Sequence, residues 1–345
     1  MSSQSVLPLD PKLHPQLGAH AQVRRAALLD HLDAASGTPV AAILAPPGYG
    51  KTTLLAQWAE RDPRVFGWLT IDRRDNDPAV LLRNLSAAFD RIEPIGRRTL
   101  HPADASGASL VDVVLPQLGW ALSAAALPAV LVLDDVHLLR NQDCLDAVTR
   151  LIDYLPVGSQ LAIASRGEPP LPLARLRAEG RVVEVGPDDL AMDGGEARRL
   201  LEHGGVDVAQ VDVDQLVRRT EGWPVALHFA ARSAGAGSLR AARTDGLAGD
   251  DRFLVDYLHF ELLSRLPERL VSFLTRCSVL DRMSGPLATP CWPPPGRPTS
   301  SSPCGGRTSS PCPWTGAGGG TGTTGCSGSC CGASSSAPSP AWPSS

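Results

Sequence analysis

At 345 residues, 43% of them hydrophobic and 20% charged, the chain has room for about two domains with cores large enough to fold unaided. A formal charge of −4, with Lys and Arg scattered and no basic run, provides no polyanion-binding surface, so nucleic acid is not an expected partner. The start MSSQSVLPLDPKLHPQLG lacks the cationic and apolar parts of a secretion signal, and the longest apolar run, Leu118 to Leu133, is interrupted by Pro128 and is too short for a membrane span. Only Cys144 and Cys277 precede residue 290, which reads as a reduced, cytoplasmic type of body rather than a disulfide scaffold.

From Pro39 to about Val185 short apolar runs alternate with helical patterns, the signature of a parallel sheet covered by helices. Val40 to Leu44, Val65 to Ile71, Ala129 to Leu133 and Gln160 to Ala164 read as buried strands, and Arg181 to Val185 as a fifth. Helix-period residues fill Thr52 to Arg61, Pro78 to Ile92, Ser109 to Ala124 and Cys144 to Tyr154. Gly195 to His203, Val213 to Thr220 and Pro224 to Ala234 follow as short helices without strands. The expected division is a first domain over 1–190 and a small helical domain over 191–240, then a Gly, Ala and Ser-rich linker from Gly235 to Asp250. Helical patterning resumes from Asp251 to Leu280.

After Ala288 only Thr, Pro, Cys, Trp, Gly, Arg, Ser and Ala occur, so 289–345 has no core-forming residues and is expected to be disordered. These are largely residues with G- and C-rich codons. Trp314 to Cys330 can be back-translated so that an adjacent frame reads Asp-Arg-Arg-Gly-Arg-Trp-Tyr-Arg-Tyr-His-Arg-Leu-Phe-Gly-Glu-Leu, an ordinary protein sequence. A one-nucleotide frameshift near Ala288 is the resulting expectation, and sequencing the gene in all frames tests it.

The segment AILAPPGYGKTTLL, Ala42 to Leu55, sets a glycine-bearing loop between an apolar strand and a helix, which is P-loop context. Gly48 and Gly50 permit backbone conformations that turn successive amides inward toward phosphate oxygens, and the helix start adds its positive end. Lys51 would reach the β- and γ-phosphates, and the Thr52 hydroxyl would ligate Mg²⁺. The expected nucleotide-binding set is Pro47, Gly48, Tyr49, Gly50, Lys51, Thr52 and Thr53. Ala45 stands where the strict pattern has its first Gly. The bland reading is a chance Gly-Lys-Thr turn at a helix start.

Roughly eighty residues on, AVLVLDDVHLL ends an apolar strand in two carboxylates. Asp134 would hold the metal, and Asp135 would orient or deprotonate an attacking water. Paired aspartates also simply end strands or cap helices. In LAIASRGEPPLPLARLR another strand delivers Ser165 and Arg166 to the same edge, where Arg166 could sense a γ-phosphate or stand as a surface arginine. Glu221-Gly222-Trp223-Pro224 reads as a turn between helices, with contact to adenine as the alternative. His137 reads as a helix-start or packed residue before a catalytic one. No Asn-Lys-x-Asp guanine-reading motif occurs, which favours ATP over GTP.

In order, APPGYGKTTLL, WLTIDRRDNDPAVLLRNL, VLVLDDVHLL, ASRGEPPLPLARLRAEG, TEGWPVAL and FLVDYLHFELLSRLPERLVSFLTRCSVLDRMSGPL resemble the amino-terminal half of the large ATP-binding LuxR-type transcriptional regulators. These maltose-regulator-like proteins are STAND-class P-loop ATPases. The resemblance spans Leu13 to Leu287. It implies an α/β fold, a P-loop NTPase parallel sheet with helices on both faces, followed by a small helical domain and the start of a winged-helix domain over 251–288. It implies that these parts clamp ATP or ADP with Mg²⁺, that slow hydrolysis resets the switch, and that exchange of ADP for ATP opens the clamp and drives self-association. It further implies that Arg166 reads the γ-phosphate and that Pro224 packs on adenine. The family's sensor repeats and carboxy-terminal helix-turn-helix have no counterpart in this sequence, so binding to promoter DNA is not expected of it. Two other functions remain open at this point: a metabolic P-loop kinase or ATPase, and an inert or ATP-dependent module that titrates full-length homologues.

Overall fold

A computed structural model describes residues 11–15, 17, 22–92, 115–116, 119, 128–235 and 252–278. The described residues up to 275 form one compact unit; of a second unit, 276–345, only residues 276–278 are described. Five strands, β1 (Val40–Leu44), β2 (Val65–Thr70), β3 (Ala129–Asp134), β4 (Gln160–Ser165) and β5 (Val182–Val185), lie in the order β2-β3-β4-β1-β5. Every pairing is parallel. The shared direction brings the carboxyl ends of β1, β3 and β4 to one edge of the sheet, with β4 inserted between β1 and β3.

Around the sheet lie α1 (Ala26–Ala34), α2 (Lys51–Arg61), α3 (Pro78–Phe89), α4 (Gln142–Asp153), α5 (Leu173–Ala178) and α6 (Pro187–Leu190). Neighbouring residues along each strand point to opposite faces, and the two faces bury separate cores. Val40, Ala42, Leu131, Leu133, Leu161 and Ile163 pack with Leu81, Leu85 and Phe89 of α3 and with Val148 and Leu151 of α4. Ala41, Ile43, Val130, Val132, Ala162 and Ala164 pack with Leu29 and Leu32 of α1 and with Leu54, Leu55 and Trp58 of α2. Burying one such large side chain contributes about 1.5–3 kcal/mol, so both layers of helices are firmly attached.

Beyond the sheet, α7 (Gly194–His203), α8 (Val213–Thr220) and α9 (Pro224–Gly235) close over a third cluster that includes Leu200, Leu201, Leu216 and Leu227. Their starts are local chemistry. Asp193 and Glu196 form a capping box at α7, and the Asp212 side chain accepts from the Gln215 amide at α8. Two further helices, α10 (Arg252–Glu261) and α11 (Glu268–Cys277), follow. No helix among the described residues is long and apolar enough to cross a membrane.

The sheet is as expected in strand number and direction, with differences at the ends. β3 and β4 run one residue further, through Asp134 and Ser165, because the ladder pairs Thr70 with Asp134 and Leu44 with Ser165. α4 starts at Gln142 rather than Cys144, since the Asn141 side chain caps it by accepting from the Asp143 amide. The short helices α1, α5 and α6 were not among the expected elements. Of the helix expected over 109–124 only residues 115, 116 and 119 are described, and they are helical. Residues 236–250 of the expected linker and the tail 289–345 lie outside the described residues.

Candidate nucleotide site

The turn from β1 into α2 requires two left-handed residues, and glycine supplies both: φ is +81° at Gly48 and +80° at Gly50. Gly50 caps α2, so Lys51 and Thr52 occupy its first turn, where the free amides and the helix dipole favour an anion. Lys51 is 8% exposed, and its Nζ donates to the carbonyls of Ala45 at 2.8 Å and Pro46 at 3.0 Å. Burial pulls its ammonium down to about 8, against the opposing attraction of Asp135 and Asp134.

The β3 end meets this loop directly. Thr52 Oγ1 donates to Asp134 Oδ2 at 2.7 Å, and the Asp135 amide donates to Asp134 Oδ1 at 2.9 Å. Asp134 is only 3% exposed, and that burial raises its carboxyl above the ordinary range despite the Thr52 hydrogen bond. Asp135 sits at φ 59°, a left-handed conformation that aspartate tolerates better than most residues, and its Oδ1 is 3.6 Å from His137 Nδ1. At the end of β4, Ser165 Oγ donates to the Gly167 carbonyl at 2.6 Å. The next residue, Arg166, reaches across to α10, its Nη2 lying 2.8 Å from Glu261 Oε2. The electrostatic neighbours of Lys51 therefore include Asp134, Asp135, Arg166 and Glu261, brought together by two strand ends and α10.

The other wall comes from much later in the chain. Glu221 and Gly222 adopt left-handed φ values of 50° and 69°, turning α8 into α9. The turn sets Trp223 Nε1 to donate to the Pro47 carbonyl at 3.2 Å, and the Val225 amide donates to the Gly48 carbonyl at 3.2 Å. A Cβ on Gly48 would lie 2.5 Å from Val225 Cγ1 and 2.9 Å from Trp223 Nε1, so the close approach of α9 demands glycine as much as φ does. Tyr257 of α10 completes the wall, its ring 6.2 Å from that of Trp223. Val225 and Pro224 also line a cleft of about 250 Å³, together with Tyr49, Gly50, Thr53, Val23 and Leu190. Burial also raises the Tyr49 phenol.

Pro47 to Thr53, Asp134, Asp135, Arg166 and Pro224 thus gather around one corner of the sheet. The turn reading of residues 221–224 describes the local backbone, but Trp223 is also a P-loop contact. Its partner is 176 residues away, and no local pattern carries that information. The Val225 amide, Tyr257 and Glu261 went unmarked for the same reason.

Residues 34–172 match the AAA domain family. This part of the chain is a P-loop domain of the AAA type. It is 32% identical over 283 residues to the serine/threonine-protein kinase PknK of Mycobacterium tuberculosis, covering 81% of this chain and 26% of that protein. To the HTH-type transcriptional regulator MalT of Yersinia enterocolitica it is 33% identical over 276 residues, covering 77% of this chain and 30% of that protein. The chain therefore spans between about a quarter and a third of the length of these relatives. Among solved structures, that of the Aeropyrum pernix ORC1 protein in complex with DNA shares 19% identity at a TM-score of 0.42, covering 76% of this chain and 73% of that one.

In this AAA-type domain the donor set fits a magnesium nucleotide. A hydroxyl and a carboxylate 2.7 Å apart offer hard oxygen ligands, and a buried ammonium in the first turn of α2 offers the matching site for polyphosphate.

Proposed function

We propose that the chain is the ATP-binding switch module of a LuxR-type transcriptional regulator. Gly48 to Thr53 bind the phosphates of ATP or ADP, with Lys51 as the point charge between β- and γ-phosphates and Pro47 and Tyr49 shaping the loop. Thr52 and Asp134 hold Mg²⁺, which when bound neutralises phosphate charge. Asp135 orients the attacking water, Arg166 reads the γ-phosphate, and Pro224 packs on adenine. Residues 1–190, 191–240 and the segment from 251 act as nucleotide-binding, helical and winged-helix parts of one clamp, in the cytoplasm. Self-association, alone or with full-length homologues, follows from opening it.

The observation that carries this reading is the ion pair between Arg166 and Glu261. A later helix supplies the carboxylate that pairs with Arg166, so a γ-phosphate reaching that arginine competes with Glu261. An anionic γ-phosphate competes for that arginine and a diphosphate does not, which is the differential interaction a nucleotide switch requires.

Equilibrium binding and turnover on the purified chain test the proposal. Tight ATP and ADP binding with hydrolysis far below the median enzyme turnover of about 10 per second is expected. Lys51→Ala should abolish tight binding, while Asp134→Ala should chiefly remove its Mg²⁺ dependence. Equal ATP affinity in Lys51→Ala and the parent contradicts the phosphate assignment, and rapid multiple turnover with a small acceptor contradicts the switch.

A further inference from the structure

Six residues beyond Lys51 on α2, Gln57 is 8% exposed inside the domain and makes no contribution to the phosphate site. Its amide is used at both ends. Oε1 accepts from the Arg25 backbone amide at 3.0 Å, and Nε2 donates to the Val23 carbonyl at 3.0 Å. The chain just before α1 is thereby fastened to the same helix that starts at Lys51.

From its other side this segment is held by Arg25, whose Nη1 donates to the Leu190 carbonyl at 2.8 Å and whose Nη2 donates to those of Asp189 at 3.0 Å and Ala191 at 3.2 Å. Its Nε lies 3.0 Å from Glu196 Oε1. Val23, Arg25 and Leu190 line the same cleft as Gly50 and Thr53, which flank Lys51 on either side. A nucleotide with its phosphates on Lys51 would place its base in that cleft, against the 23–25 edge.

We infer that Gln57 is the positioning residue of the base-binding half of the site: it fixes the 23–25 edge to the P-loop helix, so that base and phosphates are gripped by one rigid unit. The inference rests on the reading of this corner as a nucleotide site. Glutamine suits the role because one neutral group offers both a donor and an acceptor; a carboxylate has no donor, and an alkyl side chain has neither. A substitution leaves the Val23 carbonyl, the Arg25 amide or both without their buried partner, which loosens the edge.

Binding of ADP and of inorganic tripolyphosphate to the 345-residue chain tests this by calorimetry in the parent, Gln57→Glu, Gln57→Ala and Lys51→Ala. Tripolyphosphate reports the phosphate half alone. The Gln57 variants should bind ADP about tenfold more weakly, as loss of one buried hydrogen bond implies, with tripolyphosphate affinity unchanged within about twofold. Lys51→Ala should lose both ligands. Unchanged ADP binding in the Gln57 variants overturns the inference, and so does an equal loss of both ligands, which would make Gln57 a support of the whole helix. Gln57→Glu keeps the side chain's size, so if it too fails to fold, as read by circular dichroism, Gln57 is a fold residue and the inference falls. A parent that binds tripolyphosphate but not ADP removes the base pocket while leaving the phosphate site, and a parent that binds neither overturns the proposed function itself.

Discussion

Lys51 combines a buried position with a charge that the proposed phosphate contact needs, and the two pull in opposite directions. Burial lowers its pKa from 10.5 to about 8, so between those values the folded chain has lost a proton that the unfolded chain keeps. Stability of the ligand-free protein should therefore rise with pH across that window. A bound polyphosphate reverses the shift, because nearby negative charge favours the ammonium. Nucleotide binding at pH 8–9 is then expected to take up a fraction of a proton per site, measurable by titration calorimetry in two buffers of different ionisation enthalpy. Lys51→Arg, which stays charged throughout, should take up none. Identical heats in both buffers for the parent would remove Lys51 from the phosphate contact. At this scale the glycines, lysine, threonine and Asp134 were legible because each satisfies a local demand of the loop or strand end. Gln57 was not, since an isolated glutamine on a helix gives no sign of which backbone groups it will meet.

The elements divide in the same way. Val40–Leu44 matched its expected bounds because apolar and β-branched residues fill a strand buried on both faces, and α8 did so because Asp212 caps it and the Glu221-Gly222 turn ends it. That α9 and α10 would lie against the P-loop was not readable, for the contact joins surfaces whose patterns each look complete alone. The Arg166–Glu261 pair is one product of that packing. Its side chains are 23% and 19% exposed, so solvent screening keeps its worth to about 1 kcal/mol or less. Glu261→Gln should accordingly favour ATP over ADP by up to about fivefold, read as the ratio of the two dissociation constants. An unchanged ratio would take Glu261 out of the switch and leave it a surface ion pair.

For the domain as a whole, the sheet's two cores carry the stability and the nucleotide adds to it by mass action. Leu131, 1% exposed in the middle of β3, should cost about 2–5 kcal/mol as Leu131→Ala, measured by urea unfolding. Magnesium ADP at a hundred times its dissociation constant should return about 2.7 kcal/mol of that, seen as a raised midpoint. No ligand effect on the midpoint would place nucleotide binding outside the folded state. The sequence alone determined the class of fold, the parallel direction of the strands and the phosphate loop, because hydrophobic period, glycine freedom and capping chemistry act over a few neighbouring residues. Only the tertiary structure decided that β4 lies between β1 and β3, that Trp223 and Val225 meet the P-loop, that Glu261 pairs with Arg166, and that Gln57 ties Val23 and Arg25 to α2. Those choices depend on packing between segments tens to hundreds of residues apart, and the energies that select them belong to pairs of surfaces rather than to any one stretch of chain.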